Sequence, residues 1–205
     1  VPAYASGGLW LGSSIDELQK QARGFVERGF RAMKTRVGPT DPEAMVARVA
    51  AVREAIGPDI GLMVDANQQM SVKQAIRIGR MMEPLNLTWF EEPVIADDKP
   101  GMAEVRASGS TPIATGESEA TRYALRDLAV LKSADIFQPD PAFCGGISEA
   151  MKIGTIASAF NLRFAPHLWA GAPCFFAGLH VCAASPASFI IEYSLGANPM
   201  IHDLV

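Results

Sequence analysis

The chain has 205 residues, 49% of them hydrophobic and 20% charged, with a net charge of −4. That length suits one domain with a substantial core, and that composition excludes a disordered chain. The acidic balance without a Lys/Arg cluster argues against nucleic acid as a partner, and the most apolar stretch, Pro173 to Ala184, is interrupted by His180 and too short to span a bilayer.

Taken in order, Pro2 to Ser6 reads as a first strand closed by Gly7-Gly8. Ser13 to Arg28 carries Ile15, Leu18, Ala22, Phe25 and Val26 at helical spacing, and Gly29 ends it. Strand two is Phe30 to Lys34, followed by a helix opened by Asp41-Pro42, a cap before a first-position proline. Strand three is Gly61 to Asp65; Ser71 caps the next helix, which Pro84 closes. Strand four is Thr88 to Glu91, with a weaker helix around Met102 to Ala107. Strand five is Pro112 to Gly116, with a helix from Thr121 through Leu131, and strand six is Ile136 to Gln138. A helix from Ile147 to Phe160, strand seven (Arg163 to Ala165), a helix from Ala172 to Ala183 and strand eight (Phe189 to Glu192) complete the pattern.

Eight strands alternating with seven helices predict an α/β chain with a closed parallel sheet, a TIM-like (β/α)7β barrel over residues 1–205. An open doubly wound sheet is the alternative, but Gly7-Gly8 is not the phosphate-binding turn expected after its first strand. From the second strand on, each apolar run leads into an ionisable residue: Lys34, Asp65, Glu91, Glu117, Asp140, His167 and Glu192 follow one another at intervals of 23–31 residues. Parallel strands point the same way, so these groups are expected at one end of the barrel, where active sites of such barrels sit.

Asp65, Glu91 and Glu117 then lie on consecutive strand ends. Any one of them alone reads as a helix cap or a surface ion pair. Three in register repel unless a cation sits among them, and all-oxygen ligation suits Mg²⁺, with Mn²⁺ as a substitute. Asp140 and His167 end neighbouring strands, where a carboxylate beside imidazole makes a general base. Lys34 and Arg36, two residues apart, project to one side of their strand and can bind a substrate carboxylate, stabilise an enolate or act as base. His180 and His202 read as structural. Cys144, Cys174 and Cys182 lack metal-type spacing and read as reduced thiols, which points to the cytoplasm. Val1-Pro2-Ala3-Tyr4 shows no secretory signal, and an opening Val in place of Met suggests an excerpt.

Lys34-x-Arg36, Val64-Asp65-x-Asn67-Gln68, Trp89-x-Glu91-Glu92-Pro93, Gly116-Glu117, Gln138-Pro139-Asp140, Gly145-Gly146-Ile147, His167-Leu168 and Ile191-Glu192 together resemble the enolase superfamily, mandelate racemase subgroup, almost end to end. Enolase-superfamily sites are themselves a known case of a Lys or His base with Mg²⁺ stabilising an ene-diolate, so that chemistry comes with the resemblance. The resemblance implies that Asp65, Glu91 and Glu117 ligate Mg²⁺ and that Asp140 and His167 form an acid/base dyad. It further implies that Glu192 hydrogen-bonds the substrate carboxylate as its enolate forms and that Asn67 lines the pocket. Family members carry an N-terminal capping domain that selects substrate, and no such domain is recognised in this sequence.

One departure matters. The racemase pattern is Lys-x-Lys, with the second lysine as a base, and Arg36 stands in that place. With a pKa above ~12, deprotonated arginine is rarer than about 10⁻⁵ at neutral pH. One convincing base, His167, disfavours racemisation and fits a dehydratase acting on an aldonate or aldarate to give a 2-keto-3-deoxy acid. A racemase or epimerase of a 2-hydroxy acid is the first alternative, and a non-catalytic metal- or sugar-acid-binding barrel the second. The expected partners are a small-molecule carboxylate and further copies of the chain in a homo-oligomer, with no nucleic acid and no membrane.

Overall fold

The structure, a computed structural model, describes residues 1–202, with the backbone alone for Ile201 and His202. The structural role expected of the His202 side chain therefore lies outside the described residues, while His180 is exposed. Eight strands, β1 (Ala3–Ser6), β2 (Ala32–Arg36), β3 (Gly61–Asp65), β4 (Trp89–Glu91), β5 (Ile113–Thr115), β6 (Ile136–Phe137), β7 (Arg163–Phe164) and β8 (Ile191–Ser194), alternate with helices. These are α1 (Ile15–Glu27), α2 (Pro42–Ile56), α3 (Val72–Met82), α4 (Lys99–Ala107), α5 (Thr121–Val130), α6 (Ile147–Ala159) and α7 (Ala172–Ala184), with a short α8 (Pro199–His202) after β8.

The strands form one parallel sheet in the order β7-β6-β5-β4-β3-β2-β1-β8, as the α/β alternation requires. Phe164 makes an isolated parallel bridge to Ser188, in the segment leading into β8. Local chemistry sets the helix starts. Ser14 with Glu17 and Ser71 with Gln74 form reciprocal capping boxes, and Asp41 caps α2 ahead of Pro42. The outward strand faces pack on the helices: Leu62 and Val64 of β3 share a cluster with Val49, Val52, Ala75 and Ile78.

Most element ends fall within a residue or two of the sequence reading, and the differences that matter are in β2, β8 and α4. β2 starts and ends two residues later than Phe30–Lys34, and β8 two residues later than Phe189–Glu192. Lys34 and Glu192 therefore sit within strands rather than at strand ends, because each finds an opposite charge inside the sheet and does not interrupt the ladder. α4 begins at Lys99, ahead of the expected Met102, because Asp98 accepts from Gly101 N and Pro100 sits in the first turn. All three cysteines are free and buried. Among the described residues no helix is long and apolar enough to cross a membrane.

Candidate active site

The period-two alternation of the strands places the site. Tyr4, Ala32, Met63, Trp89, Ala114, Ile136, Ala165 and Ile190, one from or beside each strand, form a single apolar cluster on the concave side of the sheet. Two residues further along, on the same face, stand Ser6, Lys34, Asp65, Glu91, Gly116, Gln138, His167 and Glu192. A polar layer is thus stacked on an apolar floor. Gly116 is required in it: at φ 126°, a Cβ there would meet Leu125 Cδ1 at 2.9 Å and the Gln138 backbone N at 3.3 Å.

Lys34 is the hub. Its Nζ lies 2.5 Å from Glu91 Oε1, 3.3 Å from Asp65 Oδ2 and 3.4 Å from Glu192 Oε1, and 5.8 Å from the centre of the Tyr4 ring. Burial on its own would lower the ammonium pKa, but the Glu192 and Glu91 charges outweigh it and hold the group well above its ordinary value. Arg36 pairs with Asp65 from the same side as Lys34, as the two-residue spacing requires, and its guanidinium carbon stands 5.3 Å from the Trp10 ring centre. Glu91 Oε2 accepts from Trp89 Nε1 at 2.8 Å and Gln138 Nε2 at 2.9 Å, so both of its oxygens are held. Asn67 folds back on Asp65, its backbone N 2.8 Å from Oδ1.

On the other wall Asp140 Oδ2 meets His167 Nδ1 at 2.8 Å. Asp140 Oδ1 accepts from Ala142 N at 2.7 Å and from Cys174 Sγ at 3.2 Å. Against the effect of burial, the His167 and Ala142 hydrogen bonds lower the Asp140 pKa, so it is a carboxylate that accepts a hydrogen bond from Nδ1–H of His167. His167 Nε2 then faces Glu117 Oε2, 3.6 Å away. Burial alone would lower the His167 pKa, but the Glu192 charge, the Asp140 bond and Glu117 push it up to about 9. Glu192, which burial alone would raise, is pulled down to about 2 by Lys34 and His167 and accepts from Leu168 N at 2.9 Å. Burial raises the Glu117 pKa, and Glu91 and Glu192 add to that against the opposing His167 and Lys34 charges. Trp10, Arg36, Asn67, Glu117, His167 and Trp169 line a cavity of about 270 Å³, with the two tryptophan rings edge to face at 6.3 Å.

Every site residue expected from the sequence therefore falls in this one region. The three acids do not stand as a ready cage, however: among the described residues no group of three His, Cys, Asp or Glu side chains is arranged to hold a metal ion. Asp65 and Glu91 are engaged by Lys34 and Arg36, and Glu117 by His167. The donor set still fits a hard divalent cation. It is all oxygen, Asp65 and Glu91 are register partners on β3 and β4, and Glu117 carries a raised pKa partly because Glu91 and Glu192 crowd it.

Residues 17–205 match the sequence profile of the Enolase C-terminal domain-like family. The chain belongs to that family. It is 37% identical over 210 residues to the D-galactarolactone cycloisomerase of Agrobacterium fabrum, covering 97% of this chain and 55% of the relative. It is 36% identical over 203 residues to the L-talarate/galactarate dehydratase of Salmonella typhimurium, covering 99% and 50%. The crystal structure of L-talarate dehydratase from Polaromonas sp. JS666, complexed with Mg and L-glucarate, superposes with a TM-score of 0.86 at 38% identity over 94% of this chain and 52% of that one. The chain spans about half the length of the curated relatives it matches.

Within this enolase-like layer, several contacts lay beyond the sequence reading. Trp89 and Gln138 hold Glu91, Cys174 holds Asp140, and Gln68 binds Glu92 and Ser118. Trp89 carried a readable signal, since a residue two before Glu91 on a strand shares its face. Cys174 carried none.

Proposed function

We propose that this chain is the catalytic barrel of a Mg²⁺-dependent sugar-acid dehydratase, a hydro-lyase acting on an aldonate or aldarate. The observation that carries the proposal is the facing arrangement: Lys34, Arg36 and the carboxylates Asp65 and Glu91 on one wall, and the Asp140–His167 pair, 2.8 Å apart, on the other. In this scheme the eight-stranded sheet closes as a barrel over residues 1–205, with a capping domain in a longer chain. Asp65, Glu91 and Glu117 hold Mg²⁺, which Mn²⁺ can replace. When bound, the cation supplies positive charge that stabilises the negative charge developing on the substrate carboxylate.

A cation on the neighbouring carboxylates would offset the negative charge that raises His167, and once its ring is neutral His167 takes the α-proton on Nε2 while Asp140 fixes the ring through Nδ1. The electron pair left on the α-carbon moves into the carboxylate to give the enolate. As it returns, the β-carbon–oxygen bond breaks, and the imidazolium gives the same proton to the departing hydroxide, releasing water. The enol left behind tautomerises to a 2-keto-3-deoxy acid. Lys34 and Arg36 bind the substrate carboxylate or hydroxyls and stay charged, so neither serves as a second base; proton transfer of the His167 kind is worth roughly 10²–10⁴-fold. Glu192, as a carboxylate, can only accept, so it must gain a proton before it donates to the enolate. Asn67 lines the pocket. The small carboxylate substrate, self-association into a homo-oligomer and a cytoplasmic setting belong to the same proposal, the last supported by three free thiols.

Galactarate, arabinonate, galactonate and rhamnonate, each incubated with the chain and Mg²⁺, test this by chemical detection of a 2-keto acid. Keto acid from at least one substrate is expected. Solvent deuterium entering the α-position without keto acid would instead favour an epimerase, and silence in both assays would sink the catalytic reading in favour of a binding barrel. The similarity to a galactarolactone cycloisomerase favours one second reading. There the same α-proton is removed but the oxygen that leaves belongs to a lactone ring, and ring-opened product without release of water identifies it.

A further inference from the structure

Each of the three carboxylates assigned above to the cation borders or lies in its own loop: Asp65 precedes residues 66–71 after β3, Glu91 precedes 92–98 after β4, and Glu117 lies within 116–120 after β5. α3 with β4 and α4 with β5 separate these loops along the chain, and one side chain bridges all three by hydrogen bonds. Gln68 Nε2 donates to Glu92 Oε2 at 2.8 Å and to Ser118 Oγ at 2.9 Å, and its Oε1 accepts from Ala96 N at 2.9 Å. The Gln68 backbone N–H adds a bond to Glu92 O at 2.8 Å. A backbone N–H can only donate, so the Ala96 bond fixes which end of the amide is oxygen and aims the two donors at the other two loops.

The partners are chosen by position. Glu92 is next to Glu91, Ser118 is next to Glu117, and Gln68 is three residues beyond Asp65. Gln68 also holds a left-handed backbone at φ 64°, a conformation that side chains other than glycine adopt only when surroundings enforce it. A glutamine in such a turn with every amide atom used is a brace. We infer that Gln68 is a positioning residue that ties the β3, β4 and β5 loops together and so sets the mutual separation of Asp65, Glu91 and Glu117. This inference rests on the divalent-cation reading of the site and extends it to a residue outside the carboxylate set.

Magnesium titration by calorimetry on the metal-free chain tests it, with melting of the metal-free protein as the control for a merely structural role. Gln68→Met keeps length and backbone demand but removes all three amide bonds, and Mg²⁺ affinity should fall by roughly 10–100-fold, the usual loss when a partner behind a ligand is removed. Gln68→Glu sets a carboxylate against Glu92 and should weaken binding as well. The exchange Gln68→Glu with Glu92→Gln restores a donor–acceptor pair across the same gap and should recover affinity to within about threefold of the parent. Ser118→Ala, at an exposed position, removes one bond without touching the turn and should cost a smaller part of the affinity. In the metal-free state the exchange variant and Ser118→Ala should melt close to the parent, whereas Gln68→Met, which leaves buried Glu92 without its side-chain donor, should melt a few degrees lower. Parental Mg²⁺ affinity in Gln68→Met and Ser118→Ala overturns the brace alone. An exchange variant as weak as Gln68→Glu does the same. A parent chain that binds no Mg²⁺ overturns the cation reading and the brace together.

Discussion

Replacing Lys34 with methionine separates the electrostatics of the polar layer from its packing. The Lys34 side chain is 1% exposed and its Nζ stands within 3.4 Å of Glu91, Asp65 and Glu192. Methionine retains most of the buried stem, so the substitution removes charge rather than volume. Without the ammonium, three buried carboxylates face one another with only Arg36 left as a direct cation, on Asp65. Stripping one partner from a buried ion pair costs about 3–5 kcal/mol. At roughly 2–4 °C per kcal/mol for a chain of this size, Lys34→Met should melt about 6–20 °C below the parent in EDTA. Saturating Mg²⁺ should raise the variant by more than the parent, because no ammonium competes for the carboxylates and stabilisation grows as the logarithm of ligand over dissociation constant. The assay is calorimetric melting of both proteins with EDTA and with Mg²⁺. A variant that melts within about 2 °C of the parent in EDTA would show that the layer is not held by this charge balance.

Asp140→Asn should lower turnover by roughly 10²-fold or more with little change in substrate KM, since it removes the group that orients and charges His167; kinetics on whichever sugar acid is turned over measures it. Glu117→Gln should weaken Mg²⁺ binding at least about tenfold while leaving the metal-free chain as stable or more so, because burial makes the ionised Glu117 unfavourable; calorimetric titration and melting report the two effects. Metal-free stability should fall as pH rises from about 6.5 to 9. The folded His167 pKa of about 9 exceeds the unfolded value of ~6.5, so its contribution, on the order of 3 kcal/mol, is complete below the lower value and lost through the upper one. Glu92, pushed up to about 8 by burial and Glu117, adds the same sign. Urea midpoints across that range should drop in the parent and drop less in His167→Asn.

Much of this architecture was legible because the physics acting on it is local. β3 starts at Gly61 and stops at Asp65 as read, since an apolar run bounded by a glycine and an acid leaves little choice of register. β2 and β8 lie two residues later than the sequence suggests, for an instructive reason. Lys34 and Glu192 look like strand terminators in sequence, yet they lie within strands facing each other, and only the folded sheet makes that pairing available. The gathering of Asp65, Glu91, Glu117, Asp140 and His167 was readable from their spacing, because parallel strands of similar length must end on one side. Their actual partners were not. The ammonium shared by Asp65 and Glu91, the Trp89 and Gln138 donors on Glu91, and the amide of Gln68 across three loops depend on side-chain reach between segments far apart in the chain. α4 shows the same limit on a smaller scale: Asp98 caps it, but Pro100 and Gly101 hide the helical period from the sequence.

The most direct measurement is an anomalous difference map from crystals of the chain soaked in Mn²⁺. One peak touched by carboxylate oxygens of Asp65, Glu91 and Glu117, facing His167 Nε2 across the cavity, is the expected result. A peak elsewhere, or none while Lys34, Arg36 and His167 keep those three carboxylates, would contradict the account.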